Sequence, residues 1–439
     1  MKYSIASIAV VLAASVTLAG SAEAKSLKQA LVPQNQALDN PILQGALRPL
    51  GNAIGSQVAN QIPSLSTSAG YTYEWNPELE VLERSAKTFG PLFSERAVTL
   101  GRNKFNLNVS YSYIKFKTFN GENIDSLTNK VEKAYVPETG KVEFFGLNRT
   151  DNRNDLTVGD AVTVDLDLEA QLFDFSFTYG VLDNLDVNID LPVLRTYAHS
   201  TVTESLPDSR CLGDDGACDE ELATVGVTNL GPYESRASAL GIGDMHFRAK
   251  YAPVTKPFRM AGLLDLAVPT GDPADFQGTG DTRLGTSLIA SKDVFSILEL
   301  HTQGGVEFNC NDVNNSQARY AAGVTAQLAS FMAVTVDFLG RSEFGAQGRI
   351  PNVGRLPAVR NIGGVDTLTQ PLAELNDIDK YKGAPLFIDI QRNDILDLAV
   401  GGRFAIGDRA MIIANFLIPL NQDGLRADFI PTVGAEVNF

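Results

Sequence analysis

The stretch that most constrains this chain is its end, Asp428-Phe-Ile-Pro-Thr-Val-Gly-Ala-Glu-Val-Asn-Phe439. Phe429, Pro431, Val433, Ala435, Val437 and Phe439 share one parity, and Ile430, Thr432, Gly434, Glu436 and Asn438 share the other. Successive side chains of a strand point to opposite faces, so this period of two predicts a β-strand with one apolar and one mostly polar face. Its length is that of a tilted strand crossing a bilayer, roughly 9–11 residues. A strand of this kind cannot leave its edge groups unpaired in lipid, so it demands further strands and a closed wall.

The remainder of the chain supplies them. Asn103–Lys117 carries Phe105, Leu107, Val109, Tyr111 and Tyr113 on one face. After a polar loop to Asp160, Ala161–Gly180 sets Val162, Val164, Leu166, Leu168 and Ala170 against Asp165, Asp167 and Glu169. Its apolar parity then flips to Phe173, Phe175, Phe177 and Tyr179, which predicts a β-bulge at Leu172-Phe173. Val187, Ile189, Leu191 and Val193 alternate with Asp186, Asn188 and Asp190, and a second long loop spans about 203–240. Further strands are predicted at 242–254, 259–269, 283–290, 297–308, 318–328, 332–344, 395–406, 411–420 and 428–439. Short turns near residues 182, 255, 293, 330 and 408 alternate with long loops near 140, 220, 275, 313, 370 and 424. That sorting of turns is expected of a transmembrane barrel, short inside and long outside. The fold class is therefore all-β: a transmembrane antiparallel up-and-down β-barrel of about 12 strands. Fourteen result if a hairpin near Tyr71–Phe89 joins the wall.

Composition does not distinguish this from a soluble protein. It is 44% hydrophobic and 20% charged, as expected when only alternate residues face lipid. The net charge of −16 argues against nucleic acid as a partner. The first residues, Met1-Lys-Tyr-Ser, precede an apolar run from Ile5 to Gly20 and a small-residue exit, Ser21-Ala-Glu-Ala24. This reads as a secretory signal peptide over 1–24, cleaved after Ala24, and it predicts an oxidising compartment. Residues 25–101 have helical apolar spacings interrupted by Pro33, Pro41, Pro49 and Gly51. They are expected to form a periplasmic segment, or one lying in the lumen as a plug, ahead of a barrel over 102–439.

The polar parities name the candidate lumen lining: Asp165, Asp167, Glu169, Asp186, Asp190, Asp244, His246, Arg248, Lys250, Glu299 and His301. Opposed acidic and basic segments would give a transverse field across a pore; the same charges could equally pair and brace the wall. His246 and His301, each with a carboxylate two residues away, could act as proton carriers, but a hydrated lining network accounts for them as well. No catalytic residue is assigned. A lipase would need Ser and His together at the lipid-facing rim, and His199 and Ser200 point opposite ways. Cys211 and Cys218 suit a small external disulfide, Cys310 has no evident partner, and three scattered His with three Cys offer no metal site or cofactor.

Several stretches resemble the MetA-pathway of phenol degradation family of outer-membrane proteins. They are Gly90-Pro-Leu-Phe-x-Glu-Arg-Ala-x-Thr-Leu-Gly101 with Lys104-Phe-Asn, Thr178-Tyr-Gly-Val with Asp183, Gly241-Ile-Gly-Asp244 with Lys250-Tyr251, and Val268-Pro-Thr-Gly-Asp272 with Gly278-Thr-Gly280. A closing strand that ends on Phe439 also resembles the assembly signal of Gram-negative outer-membrane barrels. The resemblance implies a bacterial outer-membrane channel for passive uptake of small organic, aromatic or hydrophobic solutes. Outer-membrane lipid, lipopolysaccharide and the barrel assembly machinery would be its partners. The alternatives are a structural or adhesive surface barrel with a plugged lumen and, from the enzyme class, an outer-membrane hydrolase.

Overall fold

The structure is a computed structural model. It describes residues 26–31, 54–55, 57–61, 63, 65–68, 70, 73–76, 81–84, 88–136, 141–146, 156–207, 227–254, 258–295, 297–344, 359–362, 365–368, 394–407 and 409–439. The wall comprises β1 (Phe105–Phe119), β2 (Leu156–Leu182), β3 (Leu185–Pro207), β4 (Val227–Ile242), β5 (Met245–Val254), β6 (Arg259–Val268) and β7 (Arg283–Val294). It continues through β8 (Leu298–Asn309), β9 (Gln317–Ala329), β10 (Met332–Glu343), β11 (Asp394–Ile406), β12 (Ala410–Pro419) and β13 (Ile430–Asn438). All neighbouring pairs are antiparallel. β4 and β5 pair with successive lengths of β3 and form one stave, so the barrel has twelve staves.

The terminal strand closes the ring. Thr432 to Asn438 pair with Ser112 to Asn106, and Phe105 and Phe439 exchange backbone hydrogen bonds of 3.0 and 2.8 Å. Closure removes every sheet edge from the wall. The hairpin Tyr73–Asn76 with Val81–Arg84 forms its own two-stranded sheet and adds nothing to the ring, so the count is twelve and not fourteen.

Above the ring the wall grows upward on one side. β3 reaches Pro207 and β4 begins at Val227, inside the expected loop. A strand at Leu127–Val136 pairs with the upper part of β2 and with Lys141–Gly146. The Cys211 and Cys218 pairing lies outside the described residues. Cys310 is a free, exposed thiol.

The predicted bulge in β2 is absent. β2 pairs with β3 from Ala161↔Ser205 to Gly180↔Asp186 with no shift of register. Even-numbered residues face inward throughout, from Val164 to Thr178. What inverts near residue 172 is the medium on each side of the sheet. Below it, Phe173 and Phe177 are exposed on the outside while Asp174, Ser176 and Thr178 are buried inside. Above it, Leu166, Leu168 and Ala170 face inward and pack in one apolar cluster with Leu27, Leu31, Ile54 and Val58. There, Asp165, Asp167 and Glu169 point outward. A real one-residue slip occurs at Gly243-Asp244 instead. Ile242 pairs with Val193, but His246 pairs with Asp190, and this slip puts Ile242 outside and His246 inside.

The lower outer surface carries the apolar parity of every stave. Phe105, Phe177, Ile189, Phe247, Leu264, Leu288, Phe308, Phe416, Phe429 and Phe439 are all exposed on it. A soluble protein does not expose a continuous belt of this kind. Among the described residues no helix is long and apolar enough to cross a membrane.

Candidate functional site

The inward faces of the staves and the amino-terminal segment together form the interior. Ser26 caps the helix Leu27–Ala30 through a reciprocal pair of bonds with Gln29. That helix lies at the long-loop end: the Leu27 amide donates to Asp275 Oδ1 (3.0 Å), and Ser200 Oγ donates to the Leu31 carbonyl (3.4 Å). At the short-turn end, Thr99 Oγ1 donates to the Asp183 carbonyl (2.7 Å) and the Asn103 amide to the Gly180 carbonyl (2.7 Å). Described residues from 26 to 103 thus touch both ends of the barrel interior.

Buried charges hold this segment between the ends. Arg248 spans Asp190 Oδ2 (3.0 Å), Asp265 Oδ2 (3.3 Å) and the Leu65 carbonyl (2.8 Å). Lys250 Nζ donates to Ser68 Oγ (2.9 Å) and meets Glu95 Oε2 at 3.4 Å. Arg96 pairs with Glu299 (3.4 Å), which also takes Arg259 (3.0 Å). Glu436 accepts from the Gly70 amide (2.6 Å) and pairs with Arg403 (2.7 Å). Asp186 Oδ2 accepts from the Leu100 amide (2.8 Å). A lone buried charge is costly, so each of these contacts needs its partner in place.

Glu95 shows the balance. Burial pushes its carboxyl up. The Lys250 ammonium, the Thr67 amide and the Ser68 hydroxyl outweigh burial and hold it below the ordinary value of 4.5. Burial pulls the Arg96 guanidinium down from its ordinary value, opposed by Glu299.

The residues named from parity divide accordingly. Asp186, Asp190, Arg248, Lys250, Glu299 and His301 lie on the inner face and are buried. His246 is on the inner face, with Nδ1 2.9 Å from Asp265 Oδ1. His301 Nε2 lies 2.6 Å from Asp337 Oδ1, with both side chains fully buried. Asp244 is among the residues that line the cavity between segment and wall. It accepts from the Gly271 amide (3.1 Å), the Thr279 amide (2.8 Å) and Thr279 Oγ1 (2.9 Å), and so pins the 270–280 loop. Asp165, Asp167 and Glu169 are misplaced by the parity reading. They lie on the outer surface, where Lys115 Nζ reaches Asp167 (3.1 Å) and Glu169 (3.0 Å). His199 faces outward and Ser200 inward.

Sequence parity alone did not single out Asp174, Asp265, Arg283, Glu307, Arg319, Asp337, Arg341 or Arg403, which all face inward. All of them carry the inward parity of their own strands, so that signal was present. Glu95 and Arg96 had none, because no period runs through their segment.

The motif stretches turn out to meet one another. Gly101 of the first lies against Gly180 of the second, so closely that a Cβ on Gly180 would stand 1.8 Å from the Gly101 carbonyl oxygen. Glu95 and Arg96 are its buried charges. Asp244 of the third motif holds Gly271 and Thr279 of the fourth. These residues therefore build contacts between the amino-terminal segment, the wall and one loop.

A cavity of about 240 Å³ remains between segment and wall, lined by residues of both, among them Phe93, Arg248, Leu263, Arg319 and Arg341. Among the described residues no group of three or more His, Cys, Asp or Glu is placed to hold a metal ion.

No family profile matches the chain, and no curated protein matches it in sequence. Among solved structures it is similar to an outer membrane channel from Pseudomonas putida F1. The TM-score is 0.40 and the identity 11%, covering 78% of this chain and 98% of that one. It is also similar to a Pseudomonas aeruginosa FadL homologue (TM-score 0.29, 10% identity, 77% and 89% covered). A third is the Pseudomonas putida toluene transporter TodX (TM-score 0.29, 8% identity, 77% and 89% covered). Scores this low carry no argument about the site; the topology rests on the strand pairing itself.

Proposed function

We propose that the chain is an outer-membrane channel for passive uptake of small organic solutes, aromatic or hydrophobic ones included. Its signal peptide is removed after Ala24, and residues 25–101 serve as a plug within a barrel formed by 102–439. The observation that carries this is a closed twelve-stave ring with an apolar outside, a charged inside and a cavity left between wall and segment. The short turns face the periplasm and the long loops the exterior, as in barrels inserted from within. The motif resemblance to the phenol-degradation family supports the reading, and Phe439, exposed at the ring's closure, suits recognition by the assembly machinery. No step requires covalent chemistry.

A second reading, a structural surface barrel, is favoured by the apolar packing of Leu27, Leu31, Ile54 and Val58 across the long-loop end. Solute entry into liposomes separates the two. Refolded full-length protein is expected to admit a single-ring aromatic acid faster than a sugar of similar size. Deleting residues 25–89 is expected to raise both rates and narrow the difference. No entry in either form would leave the structural reading standing.

A further inference from the structure

We propose that the cavity is a binding site for a small aromatic carboxylate, held by Arg341 and Arg319. Arg319 and Arg341 stand directly opposite each other across β9 and β10, both on the inner face and both lining the cavity. Like charges directly opposed on one face of a sheet repel. Only Arg319 has a carboxylate, Glu307 at 2.9 Å. Glu307 is already shared with Arg283 (3.3 Å) and Gln317 (2.8 Å). Among the described residues Arg341 makes no ion pair, and one guanidinium nitrogen donates to the Asn60 carbonyl. The Nε atoms of Arg283 and Arg319 are buried without an acceptor among the described residues. Three guanidiniums therefore converge with more donors than acceptors.

The other carboxylates at the cavity, Asp174 apart, have partners of their own, although one oxygen of Asp190 is left open. Asp190 and Asp265 pair with Arg248, and Asp397 pairs with Arg426 (2.5 Å). Asp174 lies against Asp190, with one oxygen unpartnered. An anion between Arg319 and Arg341 would relieve their repulsion and fill the open donors. The planar guanidinium fork suits a carboxylate. Phe93, Leu263, Ala321 and Leu339 supply apolar surface in the same cavity for a ring. At about 240 Å³ the space is below the ~300–1,000 Å³ of sites for drug-sized ligands, which restricts the guest to about one ring.

As a substrate site this rests on the channel reading, so binding and flux are measured separately. Calorimetry on the full-length protein in detergent would compare benzoate, benzyl alcohol and benzylamine. Benzoate is expected to bind at least about tenfold more tightly than either of the others, as a charge-assisted bidentate contact provides. Arg341→Gln is expected to lose that advantage. Arg341→Lys, which keeps the charge and loses the fork, should retain part of it, and heat-dependent gel mobility checks folding in both. Equal binding of benzyl alcohol, preference for benzylamine at Asp174, or benzoate affinity unchanged in both variants would each overturn the site. Benzoate binding without flux leaves the site and removes the channel. Equal flux of all three without selective binding leaves the channel and removes the site.

Discussion

Glu436 and Arg403 sit 2.7 Å apart with almost no exposure, and each also bonds the amino-terminal segment. Removing one member of a buried pair strands the other, at about 3–5 kcal/mol. Arg403→Met is expected to destabilise the barrel by that order. The double replacement with Glu436→Met should cost less than the sum of the singles, in thermal unfolding followed by gel mobility. Lys115 is the contrast. Its partners Asp167 and Glu169 are solvent-accessible, so Lys115→Gln is expected to change stability by less than about 1 kcal/mol. The two sites look alike in sequence, since each is a charge on an alternating strand. Parity gave Glu436 its inward face because β13 stays within one medium. It misplaced Asp167 and Glu169 because β2 crosses from lipid level into water, where the inner face becomes the apolar one. Glu95 responds to pH. Its folded value lies below the ordinary 4.5, so the stability it contributes is present above 4.5 and is lost as pH falls through the lower folded value. Protection of the Thr67 amide against exchange, taken relative to the intrinsic rate at each pH, is expected to fall on acidification below 4.5, since its N–H donates to Glu95 Oε1 (2.6 Å). Glu95→Gln should abolish that pH dependence.

At the level of the element, the join between segment and wall is made by two glycines. Gly180 lies in β2, its amide donating to the Lys104 carbonyl (3.0 Å), while its carbonyl accepts from Asn103. Gly101 adopts φ +93°, which a side chain disfavours. Since a Cβ at Gly180 would overlap the Gly101 carbonyl, Gly180→Ala must push the segment's exit away from the wall. The expected cost is about 1–3 kcal/mol, with faster proteolysis near Arg102. Unchanged protease resistance would mean that the exit is not held there. The strands were readable because alternation and turn residues are local. The segment was not, because its order comes from side chains of distant strands: Asp186, Lys250, Glu299, Arg403 and Glu436 contact it from five different staves. Only the motif stretches marked its contact points, and those revealed that the positions mattered without saying what they touched.

At the scale of the whole molecule, described residues of the segment touch both ends of the barrel. The Leu27 amide meets Asp275 in a long loop, and Thr99 meets Asp183 in a short turn. Under the channel reading, the residues just after the cleaved leader then lie at the external mouth, and the entry to β1 lies in the periplasm. A plug held only from the periplasmic side would show no external handle. In a background where the three native cysteines are replaced by Ser, Ser26→Cys on intact cells is expected to react with a membrane-impermeant maleimide. Arg102→Cys should react only after the outer membrane is permeabilised. Leu27 and Leu31 belong to the apolar cluster inside the upper wall, so replacing both with Asp should loosen the external end alone. External labelling at Ser26 would persist or rise, and solute entry would increase while the Glu95 and Glu436 contacts below still held the remainder in place. If labelling at Ser26 required permeabilisation, the segment would instead enter from the periplasmic side, and the outer mouth would need another cover.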